Sequence, residues 1–141
     1  MFGTSGVRGL VGEDVTAALA LDVGRALATD GAATVVVGRD ARDSGRMLVR
    51  ALLAGLTECG ADVVDVGVES TPTIARAVAC EGADAGVVVT ASHNPAPDNG
   101  IKLWTESGRA FGDERNDRIT EIVKAESFDL AAADAIGAVE E

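Results

Sequence analysis

Ala85-Gly86-Val87-Val88-Val89-Thr90-Ala91-Ser92-His93-Asn94-Pro95-Ala96-Pro97-Asp98-Asn99-Gly100-Ile101-Lys102-Leu103-Trp104 is the stretch that decides how this chain folds. Residues 85–89 are apolar without alternation, the pattern of a strand buried on both faces of a parallel sheet. They run directly into a polar loop that contains prolines, and a short strand follows at 100–104. The gap between the two strands is too short for the crossover helix that a parallel return requires. Strand 100–104 is therefore expected to run antiparallel to its neighbour.

Upstream of this stretch, helix and strand patterns alternate. Thr16 can cap a helix whose Leu19, Val23, Ala26 and Leu27 share one face, and Gly31 follows its end. Residues 34–37 read as a second doubly buried strand. Asp43 or Ser44 starts a helix with the stripe Met47, Leu48, Ala51, Leu52, Gly55 and Leu56, and residues 63–66 form the next strand. Ser70-Thr71-Pro72 is a helix start, because proline's missing N–H costs nothing in a first turn. A last helix, opened by Asp113, carries Ile119, Ile122 and Val123. The expectation is an α/β fold: a three-layer α/β/α sandwich around a mixed, mostly parallel four-stranded sheet with one antiparallel strand. Residues 1–127 are expected to form the domain, and the alanine-rich residues 128–141 to begin a linker toward a further domain.

The chain has 141 residues, 47% of them hydrophobic, which is enough for one core. The formal net charge is −11, which excludes nucleic acid and anionic membrane as natural partners, since both demand a basic face. The first residues lack the basic start and apolar middle of a secretion signal, so a cytoplasmic protein is expected. Cys59 and Cys80 have no metal-ligand spacing and read as buried free thiols. Only Lys102 and Lys124 are lysines, and the rest of the basic residues are arginine. This acidic, lysine-poor composition fits a halophilic, salt-adapted protein.

Three segments concentrate glycine, hydroxyl and arginine: residues 3–9, 38–45 and 90–95. The second and third follow strands directly, and ligands of open α/β sheets bind outside the carboxyl ends of strands. Ser92 is thus expected at an exposed, rigid turn, with Lys102 on the return strand within reach of it. A phosphorylated serine carries about −1.5 to −2 charges and needs cationic partners. Arg8, Arg39, Arg42 and Lys102 are the candidates at that edge. There is no nucleophile elbow and no P-loop. The only histidine, His93, adjoins Ser92 in sequence, a poor placement for the base of a hydrolase triad.

The string from Thr90 to Pro95, followed by Asn99-Gly100-Ile101-Lys102, resembles the active-site loop of the α-D-phosphohexomutases, the phosphoglucomutase/phosphomannomutase family. Phe2-Gly3-Thr4-Ser5-Gly6-Val7-Arg8-Gly9 is similar to that family's N-terminal motif. Gly38-Arg39-Asp40-Ala41-Arg42 with Ser44-Gly45 resembles its second loop, and Ser70-Thr71-Pro72-Thr73 its third. The resemblance implies the first of four domains, the one that carries the catalytic phosphoserine. It implies that Ser92 exchanges phosphate with a hexose phosphate through a hexose bisphosphate, and that its phosphate oxygen ligates Mg²⁺. Lys102 and Arg8 would serve as acid/base or charge stabilisers, His93 as a supporting residue, and Arg39 and Asp40 as organisers of the loop.

The other three domains would supply the remaining metal ligands, sugar recognition and the phosphate clamp, so the isolated chain is expected to be inactive. Its partners would be those missing domains. Glucose, mannose and glucosamine phosphates all remain open, and a phosphoglucosamine mutase domain is the alternative within the family. A non-catalytic docking fragment is the alternative outside it, with self-association through exposed docking faces. The salt-adapted reading predicts that resistance to unfolding rises from dilute buffer to concentrated KCl. Equal stability in the two buffers contradicts it.

Overall fold

The computed structural model describes residues 6–141. The motif residues Phe2 to Ser5 lie outside that range. In chain order the elements are β1 (Val7–Leu10), α1 (Ala17–Thr29), β2 (Thr34–Arg39), α2 (Gly45–Glu58), β3 (Asp62–Val68), α3 (Thr71–Cys80), β4 (Ala85–Val89), β5 (Asp98–Thr105) and α4 (Asp113–Ala125). A 3₁₀ turn at Ala133–Ala135 and the two-residue β6 (Val139–Glu140) follow.

The sheet has the order β1-β5-β4-β2-β3-β6. β2 pairs in parallel with β3 and β4, and β3 with β6, whereas β5 pairs antiparallel with both β4 and β1. β5 is thus the single strand that opposes the rest, as its short connection to β4 requires. The sheet has six strands rather than the four expected. The additional two are β1, hidden in a glycine-rich motif, and β6, too short and exposed to show a hydrophobic pattern.

Strict alternation of side chains sorts the valines. Val35, Val37, Val63, Val87 and Val89, with Ile101 and Leu103, face a large core completed by Val23, Leu27, Leu48, Leu52, Leu56 and Ile119 from α1, α2 and α4. Val36 and Val88 point the other way, toward Ile74 and Val78 of α3, with Trp104 packed beside them. The sandwich is uneven: three helices cover one face and one covers the other. Each fully buried leucine or isoleucine contributes roughly 1.5–3 kcal/mol, so the three-helix face holds most of the stabilisation.

Local signals agree with this assembly. The Thr16 hydroxyl accepts from the Leu19 N–H (3.1 Å), and the Ser70 hydroxyl from the Thr73 N–H (3.3 Å), capping α1 and α3. α4 begins with Asp113 and Glu114 and has Lys124 in its last turn, both favourable to the helix dipole. Residues 128–141 do not leave the domain at once. Ala131 N–H donates to Glu58 C=O (2.9 Å), Gly137 N–H to Thr57 C=O (3.0 Å), and β6 extends the β3 edge. The expectation of two buried thiols is corrected: Cys59 is half-buried and Cys80 exposed, because Cys80 lies off the Ile74, Ala75 and Val78 stripe of α3.

α1 and α2 cross at Gly24 and Gly55. A methyl group at Gly55 would collide with the Leu21 carbonyl oxygen, and one at Gly24 would lie 2.5 Å from the Leu52 carbonyl oxygen. Gly55→Ala gains about 1 kcal/mol of helix propensity but overpacks backbone against backbone, which typically costs 1–3 kcal/mol. The expected outcome is a net loss of stability, read as a lower urea midpoint. An unchanged or higher midpoint contradicts this packing.

Candidate active site

Strand direction gathers the motifs at one edge. The carboxyl ends of β1, β2 and β4 and the start of β5 lie together, since Leu10 pairs with Asp98, Arg8 with Gly100, and Arg39 with Val89. Asp40 N–H donates to Val89 C=O (3.2 Å) and Thr90 N–H to Gly100 C=O (3.0 Å), so both loops leave the sheet side by side. Gly100 makes the convergence possible. A side chain there would lie 2.7 Å from the Thr90 carbonyl oxygen and 2.9 Å from the Arg8 Cβ.

Ser92 sits at the exposed tip of the loop between β4 and β5, directly after the buried Ala91. Its φ of 54° is left-handed, a conformation that costs a residue with a side chain about 1–2 kcal/mol. Two contacts hold it there. The Thr90 hydroxyl accepts the Ser92 N–H (3.0 Å) and donates to the Asp40 carboxylate in a short hydrogen bond.

Arg42 supplies the other contact and spends its whole guanidinium on the loop. Nη2 donates to the carbonyls of Ser92 (2.9 Å) and Asn94 (2.8 Å), and Nη1 to those of Pro95 (2.7 Å) and Asp98 (3.1 Å). Nε turns to Asp40 Oδ2 (3.4 Å), whose other oxygen accepts the Arg42 N–H (3.2 Å).

The expected ring of four cations is therefore redistributed. Arg42 is committed to carbonyls. Arg39 donates to the Asp40 carbonyl (3.1 Å) and lies against Gly45, where with Arg46, Arg50 and Asp65 it lines a separate hollow of about 310 Å³. Lys102, half-buried on β5 opposite Val88, places its ammonium 5.0 Å from the centre of the Trp104 ring. Trp104 lies two residues farther from the loop, so the ammonium leans away from Ser92. Arg8 remains next to the loop. It reaches Asn94 Oδ1 at 3.5 Å, the outer limit of a hydrogen bond, and the rest of its guanidinium faces solvent. His93 is exposed beside Ser92.

Two further residues shape the edge. Asn99 is fully buried within β5. It donates to the Ser44 hydroxyl (2.8 Å), so that hydroxyl ties β5 to α2 instead of capping the helix. Asp98 accepts from the Asn94 side chain (3.2 Å), closing the far end of the loop. Asp40 and Asp98 are both engaged within the loop network, and no cluster of three or more candidate metal-binding side chains occurs among the described residues.

The site therefore lies at the carboxyl edge of a covered, mostly parallel sheet, where an exposed serine sits in a loop clamped by an arginine, and the fold is that of an α/β domain. The family described as "Phosphoglucomutase/phosphomannomutase, alpha/beta/alpha domain I" matches residues 1–130. The chain is 46% identical over 141 residues to a probable phosphoglucosamine mutase of Methanothermobacter thermautotrophicus, covering 99% of this chain and 31% of that protein. It is 51% identical over 126 residues to a phosphoglucosamine mutase of Rhodococcus jostii, covering 84% of this chain and 28% of that protein. A solved structure of a phosphoglucomutase/phosphomannomutase family protein from Burkholderia thailandensis superposes with a TM-score of 0.86 at 34% identity, over 99% of this chain and 32% of that one. The chain belongs to the phosphoglucomutase/phosphomannomutase family and corresponds to its domain I. It spans about a third of the length of the curated relatives it matches.

Proposed function

We propose that this domain supplies the phosphoserine of a hexose phosphate mutase, with Ser92 as the phosphate carrier. The observation that carries the reading is an exposed serine held in a left-handed turn by a network that engages its neighbours but leaves its own hydroxyl unbonded among the described residues. In the forward half-reaction a sugar hydroxyl attacks the Ser92 phosphorus, the Ser92 Oγ–P bond breaks, and the hydroxyl proton passes to a base. After the bisphosphate turns over, Ser92 Oγ attacks the other phosphorus, the sugar O–P bond there breaks, the freed sugar oxygen takes up the proton, and Ser92 regains its phosphoryl group. The net change is a phosphate moved between the 1- and 6-positions. Phosphoryl transfer of this kind needs mainly positioning and charge stabilisation.

Arg8, which reaches Asn94 in the same loop, would meet a phosphate at the loop tip. Lys102 would join it by leaving Trp104. A cation–π contact at a partly exposed site is worth roughly 0.5–1 kcal/mol, whereas unit charges about 4 Å apart near a surface attract by about 4 kcal/mol. A dianionic phosphoserine would therefore draw the ammonium from the indole if the lysine side chain swung to within about 4 Å of it. His93 supports the same phosphate from the neighbouring position.

Mg²⁺, when bound, would neutralise charge on the transferring group. This chain would offer it the Ser92 phosphate oxygen, and an ion that prefers six oxygens needs its other ligands from elsewhere. On this reading residues 128–141 lead toward further domains that bring those ligands and the sugar site, and the isolated chain does not turn over substrate. The names of the curated relatives favour glucosamine phosphate within the hexose phosphate class. In the full-length enzyme, Ser92→Ala is expected to abolish mutase turnover, measured by a coupled assay for the 6-phosphate product. Retained turnover would refute the assignment.

A further inference from the structure

We infer that Arg42 is a positioning residue for Ser92, acting through the backbone of the loop and not on the phosphate; this rests on the proposal that Ser92 carries the phosphoryl group. The argument is one of donor count. A guanidinium has five N–H donors. In Arg42 all five are used: one faces Asp40, and four face the carbonyls of Ser92, Asn94, Pro95 and Asp98. None is left to bind an anion at the loop tip. Burial agrees, since the Arg42 side chain is only 13% exposed.

The four carbonyls span the loop from its tip to the first residue of β5, so one planar group fixes where the turn begins and where it ends. Asp40 completes the device. Its carboxylate holds Arg42 on one side and, through the Thr90 hydroxyl, the Ser92 N–H on the other. Both peptide groups of Ser92 are thereby anchored: its N–H through Thr90 and its C=O by Arg42. The hydroxyl between them is aimed by a frame rooted in β2, the strand adjacent to β4.

Lysine cannot replace this group. An ammonium keeps the charge but has three donors in a compact tetrahedron, which cannot span four carbonyls and a carboxylate. A misplacement of about 1 Å in a reacting group can cost about 100-fold in rate.

The test is Arg42→Lys in the full-length enzyme, with Ser92→Ala run in parallel. Arg42→Lys is expected to lower kcat by about 100-fold while KM for the hexose phosphate stays within about threefold. Guanidinium ion added to Arg42→Ala is expected to restore part of kcat. A kcat for Arg42→Lys within threefold of the unsubstituted enzyme, or a loss confined to KM, overturns the inference. If Arg42→Lys does not fold, Thr90→Val, which removes one hydroxyl from the same frame, must show the same kcat-selective loss, and an unchanged kcat there overturns it. Turnover by Ser92→Ala would instead remove the phosphoserine reading itself. A dead Ser92→Ala beside an unimpaired Arg42→Lys would remove only the positioning role.

Discussion

The residues between β4 and β5 form no helix or strand, and their shape depends on one guanidinium. Backbone carbonyls in a loop must find donors, and in most loops water provides them without fixing a conformation. Here Arg42 provides them for four carbonyls at once. A chemically ordinary serine thereby becomes a hydroxyl in a defined place, despite a left-handed φ of 54°. The cost of that conformation is borne by hydrogen bonds that involve charged groups, which contribute about 1.5–3 kcal/mol each.

The sheet makes this arrangement possible. Because β2 and β4 are parallel neighbours, their following loops emerge on the same edge, and Arg42 lies alongside residues 92–98 although 50 positions separate it from Ser92. Because β5 returns antiparallel, it brings Gly100 and Lys102 back along the face that α3 covers, and β1 adds Arg8 beside Gly100. The sheet thus determines which cations can approach the loop, and Arg42 determines what they would approach.

Much of this was legible in the sequence. The uninterrupted valines of β2 and β4, the short β4–β5 connection and the hydroxyl caps of α1 and α3 each carry a local physical signal, and each is where it was expected. β1 was not legible, because a half-buried edge strand interrupted by Gly9 looks like a loop. Nor was β6, whose two exposed residues pair only through backbone. Ser92 at the loop tip followed from strand and proline, but the division of labour among the arginines did not. A sequence shows that Arg8, Arg39 and Arg42 carry charge near one edge. It does not show that Arg42 faces inward to carbonyls while Arg39 turns toward α2. Asn99 was missed for a similar reason: its partner, the Ser44 hydroxyl, lies 55 residues away.

The most direct measurement is intact-mass analysis of the full-length protein after exposure to a hexose bisphosphate, with peptide mapping of the modified site. The account predicts one phosphate per chain, on the peptide that contains Ser92 and at that residue. A chain that stays unmodified, or that carries its phosphate on another residue, contradicts it.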